Sequence, residues 1–170
     1  KNQVQNKDSF LFSIKNQLET SLSKTRKNIL LIPGASHKSK CYPVAKLAEL
    51  STLIDANFLV VWGNSDEKLL ADQVKKLSPS VNICNKLSIN ELILLTSEVD
   101  LVIGPDTGPT HISWALNIPS ITLFGPTPGY RNSCATIKNH IIQSQSIVNP
   151  YKIDKNDYSI KDIEVSEIIK

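Results

Sequence analysis

The chain has 170 residues, 41% hydrophobic and 21% charged, with 19 Lys and Arg against 16 Asp and Glu for a formal net charge of +3. That length can bury about 70% of the unfolded surface around one core without disulfides or metals, and the balance excludes a disordered, collagen-like or coiled-coil chain. A small, scattered positive excess argues against a nucleic-acid partner, but leaves room for an anionic ligand where a few cations converge.

The first eight residues, from Lys1 to Asp8, lack the apolar centre of a signal peptide, and apolar runs reach only about six residues, far short of a membrane span. Cys41, Cys84 and Cys134 form no C-x-x-C pair, so reduced thiols in a cytoplasmic protein are the expectation. Met is absent, also at position 1, and the chain is expected to be a piece of something longer. Phe10, Ile14, Leu18 and Leu22 form a helical stripe between Ser9 and Lys24, which makes residues 1–27 an N-terminal helix and interdomain linker.

From residue 28 onward, short apolar runs alternate with helix-period segments. The runs cover residues 28–33, 57–62, 81–84, 100–104 and 120–125. Several are apolar at consecutive positions, as strands covered on both faces require. The first helix opens at Pro43, with Leu47, Leu50 and Ile54 on one stripe, and the next runs from Asp66 to Leu77. Ser88 followed by Glu91 is a capping box that starts a third, and a fourth begins at Asp106–Gly108 and ends near Asn117. The alternation predicts an α/β fold, a Rossmann-like doubly wound parallel sheet over residues 28–135. Residues 126–158, rich in Pro, Asn, Ser and Lys, carry no readable period. Ser159–Asp162 leads into a last helix through Ile163, Val165, Ile168 and Ile169, so residues 136–170 complete the domain or pack on it.

In an open parallel sheet, ligands bind beyond the carboxyl ends of the strands. After the first run, Gly34 permits close backbone approach, while Ser36, Ser39, Lys38 and Lys40 offer hydroxyls and charge to a phosphate; a plain surface loop looks the same. Neither G-x-x-x-x-G-K-[ST] nor G-x-G-x-x-G is present. After the fourth run, residues 104–111 place a turn and a helix start where free N–H groups and the positive helix end meet. Thr107 and Thr110 add hydroxyls. Asp106 is either an N-cap or an acceptor for sugar hydroxyls, and His111 lies one turn beyond Thr107. Asp66 and Glu67 either complement the helix dipole or, for one of them, grip a ribose diol. The turn Gly125-Pro126-Thr127 is either a rigid exit from the sheet or a closure over a diphosphate, to which Arg131 would add charge.

These loops together resemble the C-terminal, donor-binding domain of ADP-heptose:lipopolysaccharide heptosyltransferases, bacterial glycosyltransferase family 9. The resemblance covers roughly residues 28–131. It rests on Asp106-Thr107-Gly108-Pro109-Thr110-His111, matching the family's D-T-G-x-x-H loop, on Gly125-Pro126-Thr127, on Lys40 before Tyr42-Pro43, and on Trp62-Gly63 with Glu67. The resemblance implies one half of a two-Rossmann-domain (GT-B) enzyme that is inverting and needs neither metal nor other cofactor. It implies Ser36 and Lys40 on the donor phosphates, Thr107 and Gly108 on the diphosphate, Glu67 on the ribose, and Asp106 and His111 near the heptose. Gly34, Leu87 (toward the adenine), Thr110, Gly125 and Thr127 are secondary candidates. The lipopolysaccharide-core acceptor, of Kdo-lipid A type, and the general base would belong to the N-terminal domain. This chain alone would then be inactive, and the full-length protein cytoplasmic with a peripheral position at the inner membrane. The alternatives are half of another nucleotide-sugar transferase or epimerase, and a non-catalytic nucleotide-binding module.

Overall fold

The computed structural model describes residues 21–170. The stripe at residues 9–20 lies outside them, and residues 21–27 form turns and bends rather than the end of a helix. The strands are β1 (Asn28–Leu31), β2 (Asn57–Val60), β3 (Asn82–Ile83), β4 (Leu101–Pro105), β5 (Ser120–Phe124) and β6 (Asn139–Gln143). They form one sheet of order β3-β2-β1-β4-β5-β6, every neighbouring pair parallel. The helices are α1 (Val44–Leu53), α2 (Ser65–Leu77), α3 (Ile89–Glu98), α4 (Gly108–Ala115), the single turn α5 (Gly129–Asn132) and α6 (Val165–Ile169).

The consecutive apolar residues of the strands have a simple cause: alternate side chains enter two different cores. Ile29, Leu31, Phe58, Val60 and Ile103 pack with Leu47, Leu50, Ala71 and Val74 of α1 and α2 on one face. Leu30, Ile32, Leu59, Val61 and Val102 pack with Leu92, Leu95 and Val99 around α3 on the other. Each fully buried Leu or Ile contributes about 1.5–3 kcal/mol relative to exposure, so slipping one strand by one residue would trade one core's side chains for the other's. At the opposite edge from the chemistry, Asn28, Asn57 and Asn82 begin three neighbouring strands. Asn57 donates to Asn28 (2.8 Å) and Asn82 donates to Asn57 (2.9 Å), pinning the amino ends together.

The local signals hold. Asn64 accepts the Glu67 amide (3.0 Å) to start α2, and Ser88 with Glu91 forms the full capping box of α3. Helix α4 ends in a left-handed Asn117 (φ 56°), with the Asn117 and Ile118 amides on the Trp114 and Ser113 carbonyls. The predicted terminal helix is instead a 3₁₀ turn, Ser159–Asp162, then the short α6, with Ile163 and Glu164 extended between them. Strand β6 lies in the stretch that carried no readable period. Among the described residues no helix is long and apolar enough to cross a membrane, and Cys41, Cys84 and Cys134 are free thiols.

Candidate functional site

The sheet runs outward from β1 in both directions, β2 and β3 on one side and β4 to β6 on the other. The chain crosses to opposite faces at this switch point, and the crevice beyond the carboxyl ends of β1 and β4 opens there. Two loops meet in it. The first follows β1 and ends in a 3₁₀ turn, Lys38–Lys40. The second follows β4 and leads directly into α4.

Their meeting point is an ion pair. Lys40 Nζ lies 3.1 Å from Asp106 Oδ2, with the two side chains only 11% and 7% exposed. Asp106 Oδ1 pairs with His111 Nε2 at 2.9 Å, and Asn132 Nδ2 approaches Oδ2 at 3.4 Å. Burial by itself would raise the Asp106 pKa; the Lys40 charge and hydrogen bond, with help from His111, outweigh it and hold the carboxyl below its ordinary value. Asp106 is therefore not the N-cap. Thr107 holds that place, without a side-chain capping bond, because a lysine 66 residues away claims the carboxylate. The His111 ring stacks on Trp114 (centroids 4.3 Å apart, planes at 20°), and the Trp114 indole donates to Ser120.

Ser36, Lys40, Asp106, Thr107, Gly108, His111 and Asn132 line a cavity of about 460 Å³. The opening of α4 is part of its wall. A Cβ at Gly108 would meet nothing within 4 Å, so the helix start faces open space. Pro109 has no N–H, which leaves the Thr107–Gly108 backbone as the anion-facing part of the first turn. Lys40 and Asp106 cancel in charge, yet an ammonium has three N–H donors and only one of them is taken by Asp106.

A second cleft of about 420 Å³ adjoins the first and shares Thr107 and Gly108 with it. Its lining is mostly apolar, including Ile32, Val61, Trp62, Leu87 and Ile112, with Gly34, Gly63 and Glu67 at one side. The Trp62 indole is pinned by a 2.8 Å bond to the Cys84 carbonyl. Glu67 accepts the Gly63 amide at 2.6 Å. Gly34 is required here: a Cβ on it would lie 2.3 Å from Glu67 Cγ. The acidic helix start and the close-approach glycine thus belong to one contact.

Other candidates serve the architecture. Thr110 is fully buried and donates to the Pro105 carbonyl (2.8 Å), so its hydroxyl secures the turn rather than facing the cavity. Gly125 packs on the 159–162 turn, where a Cβ would lie 2.6 Å from Ile160 Cβ. Thr127 comes beside Asp106, as neighbouring β4 and β5 dictate, but its hydroxyl has no well-formed hydrogen bond. Arg131 lies away from the ion pair, against the Pro150 carbonyl and the Tyr151 ring. Asn132 and Trp114 escaped sequence reading; Asn132 sits in a stretch without period, and Trp114 reads as an ordinary helix residue.

Comparison with known proteins follows the same lines. The model of glycosyltransferase family 9 (heptosyltransferase) matches residues 2–159. A lipopolysaccharide heptosyltransferase 1 from Campylobacter coli is 41% identical, over 94% of this chain and 52% of its own length. Among solved structures, the E. coli heptosyltransferase WaaC with ADP superposes with a TM-score of 0.73 at 18% identity, over 92% of this chain and 46% of that one. E. coli ADP-heptose lps heptosyltransferase II gives 0.75 at 20% identity, over 92% and 48%. At those identities the structures establish the shared fold. The chain spans about half the length of these relatives.

Proposed function

The chain belongs to glycosyltransferase family 9, and on that premise we propose that it is the donor-binding half of a heptosyltransferase, moving heptose from ADP-heptose to the lipopolysaccharide core. The observation that carries this reading is the pair of clefts joined at Thr107–Gly108. The apolar one, walled by Trp62, Leu87 and Ile112, suits a flat base, and the polar one suits a diphosphate and its sugar. Glu67, on the wall of the apolar cleft, takes the ribose. Lys40 and the start of α4 face the diphosphate, Ser36 sits at the rim, and Asp106 with His111 takes the sugar hydroxyls.

Chemically, the leaving diphosphate gains charge as the glycosidic bond breaks, and fixed donors aimed at it lower the barrier. Lys40 and the Thr107–Gly108 backbone supply that countercharge in this proposal, without a metal. The acceptor hydroxyl attacks from the opposite face of the sugar, inverting the anomeric centre. Its base belongs to the family's other domain. This chain alone then binds donor without transferring it, and the whole enzyme works at the cytoplasmic face of the inner membrane as a peripheral protein.

Calorimetric titration of the chain with ADP, UDP and ADP-heptose tests the assignment. ADP-heptose should bind tightest and UDP weakest. Preference for UDP would favour a different nucleotide-sugar enzyme, and equal affinity for ADP and ADP-heptose would favour a nucleotide module with no sugar contact.

A further inference from the structure

Helix α4 turns a stripe of small polar residues inward. Thr110 and Ser113 are fully buried, and their hydroxyls bond the Pro105 and Thr110 carbonyls. His111 and Trp114 form the next stripe, three residues apart and so neighbours on the helix surface. Trp114 packs in neither apolar core of the described residues. Its face is given instead to the His111 imidazole, 4.3 Å away and nearly parallel. Its edge is tied down: the indole donates to Ser120 Oγ (3.2 Å), and that hydroxyl donates to Asn139 Oδ1 (3.0 Å). Ser120 and Asn139 open β5 and β6 and are 0% and 4% exposed. A line of contacts thus runs from the amino ends of two strands, across α4, to the ion pair at the other end of the sheet.

The imidazole needs such a hold. Its side chain is 47% exposed, and its bond to the protein is the one from Nε2 to Asp106 Oδ1 at 2.9 Å. Asp106 sits between Lys40 and His111 with its carboxyl held below the ordinary range. An ionised carboxylate only accepts, so Nε2 carries the proton. In the neutral ring Nδ1 is then purely an acceptor, and among the described residues nothing donates to it. A half-exposed ring held by one bond could swing out to water; one stacked on an anchored indole keeps its place.

We propose that Trp114 is a positioning residue: it holds His111 in the Nε2–H tautomer against Asp106 and leaves Nδ1 to accept a hydroxyl of the sugar beside the diphosphate. An acceptor at that point takes a neutral, hydroxyl-bearing sugar and repels an acid group. The stack therefore sets specificity through His111, a role that rests on the donor reading above and concerns only its sugar end.

The test joins ring spectroscopy to calorimetry on the 170-residue chain. In alkaline buffer the parent's His111 ring protons should be shifted upfield by the indole, and a long-range ¹H–¹⁵N spectrum should show the Nε2–H tautomer. Trp114→Leu should abolish the upfield shift and mix the tautomers. It should weaken ADP-heptose about 2- to 12-fold, the size of one aromatic pair, with ADP left as in the parent. Trp114→Phe, which keeps an aromatic face, should restore the tautomer and most of the ADP-heptose affinity. An Nδ1–H tautomer in the parent, or a ratio of ADP to ADP-heptose affinity that neither variant alters, would overturn the positioning role and leave the donor reading standing. A parent that binds ADP-heptose no tighter than ADP would remove the sugar reading and this role with it.

Discussion

Lys40 and Asp106 make opposite predictions, and that opposition is the sharpest check on the site. Lys40→Met keeps the aliphatic stem and removes the ammonium. With the two side chains 11% and 7% exposed, losing one partner of such a pair costs about 3–5 kcal/mol of stability. The remaining bonds from His111 and Asn132 to Asp106 place the change at the lower end. ADP should bind about 10- to 150-fold more weakly, the equivalent of about 1.5–3 kcal/mol for a hydrogen bond to a charged group. Thr107→Ala should weaken ADP in the same direction. Asp106→Asn should do the reverse for ADP, because it deletes a like charge beside the diphosphate and releases Lys40. About 1 kcal/mol of tightening is expected, the aqueous limit for unit charges 4 Å apart. The same variant should lose the preference for ADP-heptose over ADP. The double variant should recover most of the stability that Lys40→Met lost, because no buried charge is then stranded. Isothermal titration with ADP and ADP-heptose, with urea unfolding of each variant, measures every term. Lys40→Met within two-fold of the parent, or Asp106→Asn weakening ADP as much as Lys40→Met does, would refute the shared-lysine geometry.

Gly34→Ala should cost about 1–3 kcal/mol of stability and weaken ADP, since its Cβ must displace the Glu67 stem and with it the bond to Gly63; unchanged melting and unchanged ADP affinity would contradict the contact. On acidification, Asp106, Asp100 and Asp157 all titrate below their ordinary values. Their contribution to stability is therefore present above about pH 4, the unfolded carboxylate range, and is lost as pH falls through the lowered folded values. Urea midpoints measured between pH 6 and 3 should fall, and fall less steeply in Asp106→Asn.

Much of the sheet was legible because β1 and β2 serve two cores at once, which writes unbroken apolar runs into residues 29–32 and 58–62. The edge strand β6 was not, and the cause is physical. It has a single neighbour, β5, and Ile141 and Ile142 are only half-buried between polar residues, so nothing demands an apolar run. The split of the last helix has a similar origin. Extended Ile163 turns its carbonyl toward Tyr42 Oη (2.8 Å) and Lys46 Nζ (2.9 Å), and a continuous helix would withdraw it. Within the site, the turn and helix start at residues 104–111 were readable because they are local. Asp106's partner was not: a capping role is set by residues three positions away, an ion pair by a loop 66 positions away.

That distant loop is itself held from elsewhere. The 3₁₀ turn carrying Lys40 packs on the 159–162 turn, which Gly125 admits by lacking a Cβ, and Tyr42 and Lys46 bind the backbone just beyond. Lys40 thus has little freedom to follow a ligand outward; in the proposed complex the diphosphate would have to come to it. An arriving phosphate competes with Asp106 for the ammonium, and in the proposed complex a bare nucleotide leaves that carboxylate one donor short. A sugar on the β-phosphate repairs the deficit, because its hydroxyls supply donors to the oxygen that Lys40 has partly vacated. The pair is then more than an anchor. On the proposed donor reading, phosphate alone is an incomplete replacement, so the pair would turn two ordinary contacts into a preference for a ligand that carries both phosphate and polyol, and the strength of that preference should track the burial that keeps water from filling the gap.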